Sequence, residues 1–268
     1  MPGCRAVVGE LATIDRLARE IAKAGAIIHL ASPRGQDRES VVKDDVLGTG
    51  ALIDAWRTGA FIYTSSPTVH GVPRAVLKED SPMDITCWYD MGKYCNEFQL
   101  RQTESVPARG PAISLRPALY FGANDRRHDR QMLSFVHTHC RLGSKFVFDS
   151  EHGLETYGSS YIGGADFGRA VCDALTIRTS GAYNVAGGFC TWRQLIEAIN
   201  RHAGTRADFF VRPGAQPGAG EARLAQSITL LDTQRFAAET HFVPQESLDG
   251  LVETFVAQER AAAPSAAT

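Results

Sequence analysis

The sequence predicts an α/β protein built on a mainly parallel sheet with helices on both faces. Apolar runs typical of buried strands alternate with segments whose apolar residues recur at helical spacing. That alternation favours parallel strands joined by crossover helices. The chain has 268 residues, of which 44% are hydrophobic and 22% charged, as in soluble globular proteins. Disorder, collagen and coiled coil are therefore excluded as the main architecture.

The N-terminal part of the chain gives the clearest alternation of strand and helix. The run at 26–30 (Ala-Ile-Ile-His-Leu) is compact and rich in β-branched residues, so we expect a strand buried on both faces. Gly59 then ends a helix, as glycine commonly does. The predicted elements here are a strand at 5–8, a helix at 11–21, a strand at 26–30, a helix at 40–56 and a strand at 61–63.

The rest of the chain continues the pattern with longer irregular connections. Thr191 and Gln194 form a capping box, which marks the start of a helix. The segment at 211–220 is a surface loop by composition, and the alanine-rich end at 261–268 predicts a disordered tail. The further predicted elements are helices at 86–103, 130–141 and 167–175, and strands at 112–115, 145–148 and 182–185.

Charge and cysteine usage exclude several classes of partner. The 28 basic and 30 acidic residues nearly cancel, so no overall field favours nucleic acid or an anionic membrane. The longest apolar stretch, at 24–31, is too short to span a membrane, and the N-terminus lacks the apolar core of a signal peptide. The six cysteines include no C-x-x-C pair, which predicts free thiols in a reducing cytoplasm and no metal site.

Three short features follow predicted strands in a telling order. His29-Leu30-Ala31-Ser32 ends one strand, Thr64-Ser65-Ser66 ends the next, and Tyr89 and Lys93 follow on a helix. Ligands of open α/β sheets bind at the carboxyl ends of the strands. Residues four apart share one face of a helix, so the Lys93 ammonium is expected to lie near the Tyr89 phenol and lower its pKa.

These groups predict a proton-transfer site. A tyrosine of lowered pKa serves as a general base, and a nearby hydroxyl hydrogen-bonds the same substrate oxygen. Alcohol and carbonyl interconvert at such a site only with a hydride acceptor such as a nicotinamide. The competing interpretation is a surface lysine lying beside a half-buried tyrosine, which the position of Ser65 and Ser66 disfavours.

Short motifs in the same order along most of the chain carry a resemblance to a known family. They are Val8–Leu11, Ile28–Ala31, Gly48–Thr49, Tyr63–Ser66, Val69–Gly71, Tyr89 to Lys93 with Glu97, Leu115–Pro117, Phe121–Gly122 with Asp125, Tyr161–Ile162 with Asp166, Tyr183–Val185, and Leu231–Asp232 with Pro244. The chain thereby resembles the extended short-chain dehydrogenases/reductases, in the NAD-dependent epimerase/dehydratase group. The fold that this implies is a Rossmann-like doubly wound parallel sheet with a smaller C-terminal substrate lobe.

The resemblance also implies roles for individual residues. Tyr89 would be the catalytic base, Lys93 would lower its pKa and hold the nicotinamide ribose, and Ser66 would orient the substrate. The cofactor, NAD or NADP, would be bound by Leu30, Ala31, Ser32, Ser65, Tyr89, Lys93 and Pro117. The substrate would be bound by Ser66, Thr68, Arg212 and Arg223.

Departures from the family pattern affect both cofactor and substrate. The family begins with a strand, a glycine-rich turn, a helix and a second strand, and no such turn occurs near this N-terminus, which suggests a truncated chain. Ala118 stands where nucleotide-sugar enzymes carry an asparagine, and Asp45 replaces the asparagine before the Gly-Thr pair. Nucleotide sugars, hydroxysteroids and dihydroflavonols all stay open as substrates, as do epimerase, dehydratase and dehydrogenase activities.

The expected organisation follows from the resemblance. Residues 1–185 would form the NAD(P)-binding domain, and 186–260 the main substrate lobe with a contribution from 120–160. The helices at 40–56 and 86–103 would pair with a second copy in a homodimer. The alternative is a catalytically inactive family member or a cofactor-sensing binding protein.

Two further clusters have ordinary interpretations. His137 and His139 diverge by roughly 200° on a helix and so cannot share a metal ion, which favours surface or packing roles. The run at 126–130 is rich in arginine, which binds phosphate through its forked guanidinium, and a solvated helix start is an equal alternative.

Overall fold

The computed structural model describes residues 6–33, 35–72, 76–106, 109–122, 132–214 and 218–262. The arginine-rich run at 126–130 and residues 263–268 of the expected tail lie outside this part. The helices are α1 (Ala18–Ile21), α2 (Arg38–Ser40), α3 (Gly48–Ala55), α4 (Trp88–Gln102), α5 (Met132–Arg141), α6 (Glu151–Thr156), α7 (Gly164–Asp173), α8 (Trp192–Ala203), α9 (Gln234–Thr240) and α10 (Leu248–Ala262).

The strands are mostly short. They are β1 (Ala26–His29), β2 (Ala60–Thr64), β3 (Val76–Leu77), β4 (Ala112–Pro117), β5 (Leu119–Phe121), β6 (Lys145–Phe148), β7 (Gly158–Gly163), β8 (Gly181–Val185), β9 (Gly188–Thr191), β10 (Asp208–Val211), β11 (Glu221–Ala222) and β12 (Ile228–Leu231).

The chain divides into two compact units. The first comprises Met1–Gly71, Pro82–Arg116 and Val171–Tyr183, and the second comprises Val72–Ser81, Pro117–Ala170 and Asn184–Thr268. No helix in the described ranges is long and apolar enough to cross a membrane.

The sheet of the first unit has the strand order β1-β2-β4-β8. β1 pairs in parallel with β2, and β2 pairs in parallel with β4, so Tyr63 lies between His29 and Ser114. Residues 60–63 are all buried, as expected of a strand covered on both faces. The parallel α/β sheet predicted from the sequence is thus confirmed, and the fold is Rossmann-like.

The strand predicted at 5–8 is wrong over the residues that the structure describes. Val8 is fully exposed and Val7 half-exposed, and neither belongs to a strand. In the described part of the chain no strand lies beside them, so their backbone groups have no ladder to join. β1 is also buried on one face only, since Ile28 is 44% exposed whereas Ile27 and His29 are buried. It pairs with β2 alone, and helices cover just one of its faces.

The predicted helix at 40–56 is confirmed and contains a wider turn. A π-helical segment, Val41–Leu47, joins α2 to α3. Such segments insert an extra residue into a helical turn and occur often at functional sites. Here the segment packs against α4, and it carries the buried Asp45.

The second unit contains two further, mainly parallel sheets. β6 lies between β10 and β11, and β7 pairs in parallel with β12 and β5 and antiparallel with β9. The capping box at Thr191 and Gln194 is confirmed at the start of α8. The apolar stripe of α8, Trp192, Leu195, Ile196 and Ile199, is buried in the core of this unit. The core packs α8 against α5 and α10, and α10 was not predicted from the sequence.

Candidate active site

The first unit brings together the hydroxyl and amine groups singled out in the sequence. β2 ends at Thr64, followed by Ser65 and Ser66, and α4 carries Tyr89 and Lys93 one turn apart. The Lys93 Nζ lies 5.5 Å from the centre of the Tyr89 ring and donates a hydrogen bond of 3.2 Å to the Thr64 carbonyl oxygen. The end of a strand and one face of a helix thus meet as expected.

Lys93 is buried beside a carboxylate. Its side chain is 3% exposed, and its Nζ lies 4.0 Å from Oδ2 of Asp45, which is equally buried. Gly92 permits this approach, because a Cβ there would lie 2.7 Å from Val41 and 3.0 Å from the Asp45 carboxylate. Burial lowers the pKa of Lys93, and the charge of Asp45 opposes that shift. Burial raises the pKa of Asp45, whereas Lys93 lowers it.

Asn96 fixes the other side of the Asp45 carboxylate. Its Nδ2 donates to Asp45 Oδ1 and to the Tyr63 hydroxyl, each over 2.9 Å. The Lys93 Nζ lies 5.1 Å from the centre of the Tyr63 ring, so the ammonium is close to two aromatic faces. His29 hydrogen-bonds Thr49, and burial and then the charge of Lys93 lower its pKa to about 4. His29 is therefore neutral at neutral pH.

The expected lowering of the Tyr89 pKa is wrong in direction. The pKa of Tyr89 is raised above its usual value, chiefly by burial of the phenol. Hydrogen bonding between Tyr89 and Ser66 opposes this, and the negative charges of Asp45 and Asp90 add to it. Lys93 lies over the ring face, and its charge is partly compensated by Asp45. The resting state of Tyr89 is therefore the protonated phenol.

A chain of hydroxyl groups connects Ser66 to α4. The Ser66 and Thr68 hydroxyl oxygens are 2.8 Å apart, and the Thr68 hydroxyl donates to Asp90 Oδ1 over 2.6 Å. Thr86 donates to the other carboxylate oxygen over 3.1 Å. Thr68, predicted to contact substrate, is thus also bound to the residue that follows the tyrosine.

Ser65 is held within the protein. Its hydroxyl donates to Glu97 over 2.5 Å, and its amide donates to the Leu115 carbonyl. Glu97 in turn accepts hydrogen bonds from Nε and Nη2 of Arg116. A cofactor atom that accepts a hydrogen bond from the Ser65 hydroxyl or amide would have to replace one of these internal bonds.

The other residues expected to bind cofactor lie at strand ends. Leu30, Ala31 and Ser32 follow β1 and are exposed, Leu30 by 53%. Pro117 is the last residue of β4 and is partly exposed. In all four cases the position agrees with a groove at the carboxyl ends of the strands, and a role in cofactor binding stays a prediction.

Arg212 and Arg223, predicted to contact substrate, belong to the second unit. The Arg212 guanidinium forms an ion pair with Glu221 and lies 5.2 Å from the centre of the Phe210 ring. Arg223 is partly buried and has an interaction partner.

The two histidines of α5 make packing contacts. The His137 ring packs edge-on against Phe255, and His139 hydrogen-bonds Ser144 over 3.0 Å. Within the described residues no cluster of three metal-ligating side chains occurs.

Sequence reasoning missed the carboxylates that surround the tyrosine. Asp45 was noted only as a departure from the family pattern, and Asp90 was not singled out. The available signals were an acidic residue directly after Tyr89 and a threonine two residues after Ser66. Neither signal reveals which groups meet in space.

The fold is shared with solved structures of low sequence identity. RMD from Pseudomonas aeruginosa, complexed with NADPH, has a TM-score of 0.75 at 18% identity over 97% of this chain and 89% of its own. DesIV, a dTDP-glucose 4,6-dehydratase from Streptomyces venezuelae with NAD and TYD bound, has a TM-score of 0.74 at 19% identity over 98% and 81%.

A third similar structure is an epimerase. UDP-glucose-4-epimerase from Stenotrophomonas maltophila, with bound NAD and formylated UDP-arabinopyranose, has a TM-score of 0.76 at 18% identity over 96% and 84%. No family model and no curated protein sequence matches the chain. The likeness therefore establishes the fold, and function has to be argued from the site.

Proposed function

We propose that the chain is an NAD(P)-dependent enzyme of the epimerase, dehydratase or reductase type. The observation that carries this proposal is the pairing of Tyr89 and Lys93, with the ammonium 5.5 Å from the ring centre beside the hydroxyls at the end of β2. The enzymes named above share the fold and were crystallised with NAD or NADPH. Their substrates make a nucleotide sugar the first candidate, and other secondary alcohols or ketones are alternatives.

The residues present fit the nicotinamide half of such a cofactor. An ammonium has three donors, and among the described residues only the Thr64 carbonyl accepts one from Lys93, since Asp45 lies at the ion-pair distance of 4.0 Å. Donor capacity is therefore left for ribose hydroxyls. Leu30, Ala31, Ser32, Ser65 and Pro117 are the further proposed contacts of the cofactor.

The protonated state of Tyr89 favours the role of general acid. When bound, a reduced nicotinamide would supply a hydride to the substrate carbonyl carbon. The Tyr89 hydroxyl would donate its proton to the carbonyl oxygen, and the product is the alcohol. Ser66 and Thr68 are the proposed contacts of the substrate, and their hydroxyl oxygens can accept from the hydroxyl of an alcohol substrate or product. In the reverse direction the phenolate must form first, and burial of Tyr89 opposes this.

The second unit is the proposed substrate-binding part. Arg212 and Arg223 are the candidates for an anionic group such as a diphosphate. Arg212 would have to exchange its ion pair with Glu221 for the substrate. The five cysteines in the described ranges are free thiols, which supports a reducing compartment such as the cytoplasm.

We expect binding of the cofactor to depend on Lys93. Lys93→Met should weaken binding of NADH or NADPH at least tenfold, because the ammonium no longer meets the ribose hydroxyls. Binding is measured by the fluorescence of the reduced nicotinamide. The substitution leaves the buried Asp45 charge unpaired and can destabilise the fold. The double variant Asp45→Asn with Lys93→Met removes both charges, so it is tested alongside.

The matched control is Lys43→Met, which removes an exposed lysine of the same unit and should bind as the parent does. Equal affinity in parent and both Lys93 variants would contradict the proposed role of Lys93. Tight binding without turnover of any alcohol or ketone would favour the cofactor-sensing alternative, and no binding to the parent at millimolar cofactor would favour the inactive one.

We also propose a homodimer formed through α3 and α4. Phe98 is 49% exposed and Val106 40% exposed, and both line a groove of about 290 Å³ beside Ile53. We expect the mass of the parent, measured by light scattering during gel filtration, to be twice that of the chain. Phe98→Asp should give monomers, because a charge cannot be buried unpaired in the interface. Val243→Asp alters a more exposed apolar residue, in the second unit, and should leave the dimer intact. A dimeric Phe98→Asp would place the interface elsewhere.

A further inference from the structure

The hydroxyl chain that begins at Ser66 ends on a buried carboxylate. Ser66 and Thr68 hydroxyl oxygens lie 2.8 Å apart, and Thr68 donates to Asp90 over 2.6 Å. Asp90 is 3% exposed and follows Tyr89 directly. The chain therefore runs from the proposed substrate oxygen site to the residue beside the acid.

The carboxylate fixes the direction of every bond in this chain. An ionised carboxylate only accepts hydrogen bonds, so the Thr68 hydrogen must point to Asp90. A hydroxyl has a single hydrogen, so at the contact with Ser66 the Thr68 oxygen is the acceptor and Ser66 the donor. The Ser66 hydrogen is thus given to Thr68 and not to Tyr89, and a lone pair of the Ser66 oxygen is left for the phenol.

This direction works against the phenolate. Hydrogen bonding with Ser66 lowers the pKa of Tyr89 only where Ser66 donates to the phenolate oxygen. Ser66 can donate it only by turning away from Thr68. As long as the chain is intact, the protonated Tyr89, with its hydroxyl donating to Ser66, is favoured over the phenolate. A general acid needs this protonated form at rest, and its hydrogen turns from Ser66 to the carbonyl oxygen when substrate is bound.

We propose that Asp90 is a positioning residue that acts through Thr68 to turn the Ser66 oxygen, and not its hydrogen, toward the Tyr89 phenol. The inference rests on the proposed function for its catalytic meaning. Its geometric content concerns Ser66, Thr68, Asp90 and Tyr89 alone.

A purely structural role for Asp90 is the competing explanation. Asp90 lies in the first turn of α4 and also accepts from Thr86, so it stabilises the start of the helix. The other charged groups that act on Tyr89 are Asp45 from the π-helical segment, Lys93 over the ring and Cys87 at the helix start. None of these belongs to the hydroxyl chain, so they stay unchanged when Thr68 is altered.

The test is the titration of Tyr89 in Thr68→Val. Valine has the shape of threonine without the hydroxyl, so Ser66 loses its competing acceptor while the charge of Asp90 stays. Ser66 can then donate to the phenolate, and the midpoint of Tyr89 should fall by about one pH unit. The seven tyrosines are labelled with carbon-13 at Cζ and followed by NMR in the folded protein, and Tyr89→Phe identifies the resonance.

Thr68→Ser keeps the hydroxyl and should titrate as the parent does. If Thr68→Val does not fold, Thr68→Ala serves the same purpose with less crowding, and circular dichroism marks the folded range of pH. A Tyr89 that titrates alike in parent and hydroxyl-free variants, or that stays protonated in both throughout the folded range, would overturn the proposal and leave Asp90 as a helix-stabilising residue. The titration needs no cofactor or substrate, so failure of the proposed function would show separately as absent turnover.

Discussion

Replacing Tyr89 by phenylalanine should lower kcat by about 10²–10⁴-fold, the usual contribution of a general acid or base. Phenylalanine fills the same space beside Lys93 but has no proton to give to the substrate oxygen. KM and cofactor affinity should change little, because the ribose contact belongs to Lys93. The assay follows oxidation of NADH or NADPH with candidate ketones and nucleotide keto-sugars.

The same helix offers a matched control for this substitution. Tyr94 is a partly exposed tyrosine of α4, and Tyr94→Phe should retain the kcat of the parent. A Tyr89→Phe enzyme that keeps its activity within about threefold would show that Tyr89 transfers no proton, since the general-acid contribution would then be missing.

The pH profile checks the direction of proton transfer. Burial raises the pKa of Tyr89, so the acid form persists to higher pH than in an exposed tyrosine, whose pKa is about 10. Carbonyl reduction should therefore keep its kcat through neutral pH and lose it only in alkali, as the proton is lost. Alcohol oxidation needs the phenolate and should instead rise with pH. If kcat for carbonyl reduction already declines as the pH rises to about 8, the alkaline limb belongs to a group other than Tyr89.

The part of the site that could be predicted is the part encoded by local spacing. Tyr89 and Lys93 are four residues apart on a helix, and Ser66 follows a strand, so their positions follow from chain geometry. The direction in which the Tyr89 pKa is shifted could not be obtained from local spacing. It depends on how deeply the phenol is buried and on Asp45, which lies on another element. Sequence spacing does not fix either quantity.

The difference between local and long-range signals also explains which strands and helices could be predicted. β2 and the helix that starts at Thr191 carry strong local signals and are confirmed. The strand predicted at 5–8 is locally as plausible, but a strand needs a neighbour, and the described residues provide none there. β7 (Gly-Ser-Ser-Tyr-Ile-Gly) was missed because glycine and serine disfavour strands, although all six residues are buried between neighbouring strands.

A buried ion pair holds Ser65, the neighbour of Ser66 in the proposed site. Arg116 is 1% exposed, and it donates from Nε and Nη2 to the two oxygens of Glu97 over 2.8 and 2.6 Å. Its Nη1 lies 2.9 Å from Nε2 of His70. Because a guanidinium only donates, His70 Nε2 must accept, and the proton of the ring is on Nδ1, which donates to the Pro82 carbonyl. Glu97 also accepts from Ser65, which precedes Ser66 in the site.

Replacing Arg116 by methionine should destabilise the protein by about 3–5 kcal/mol, the usual cost of leaving one charge of a buried pair without its partner. Glu97 would keep a hydrogen bond from Ser65 but no counter-ion, and His70 would lose its donor. The free energy of unfolding is measured by denaturant titration at neutral pH. The double variant with Glu97→Met removes both charges and should recover part of the loss, because no buried charge is then left unpaired.

Arg101→Met, on the exposed side of α4, should stay within about 0.5 kcal/mol of the parent. An Arg116→Met protein as stable as Arg101→Met would mean that water or a rearranged side chain replaces the guanidinium, and the pair would then contribute nothing to holding Ser65 and Ser66 in place.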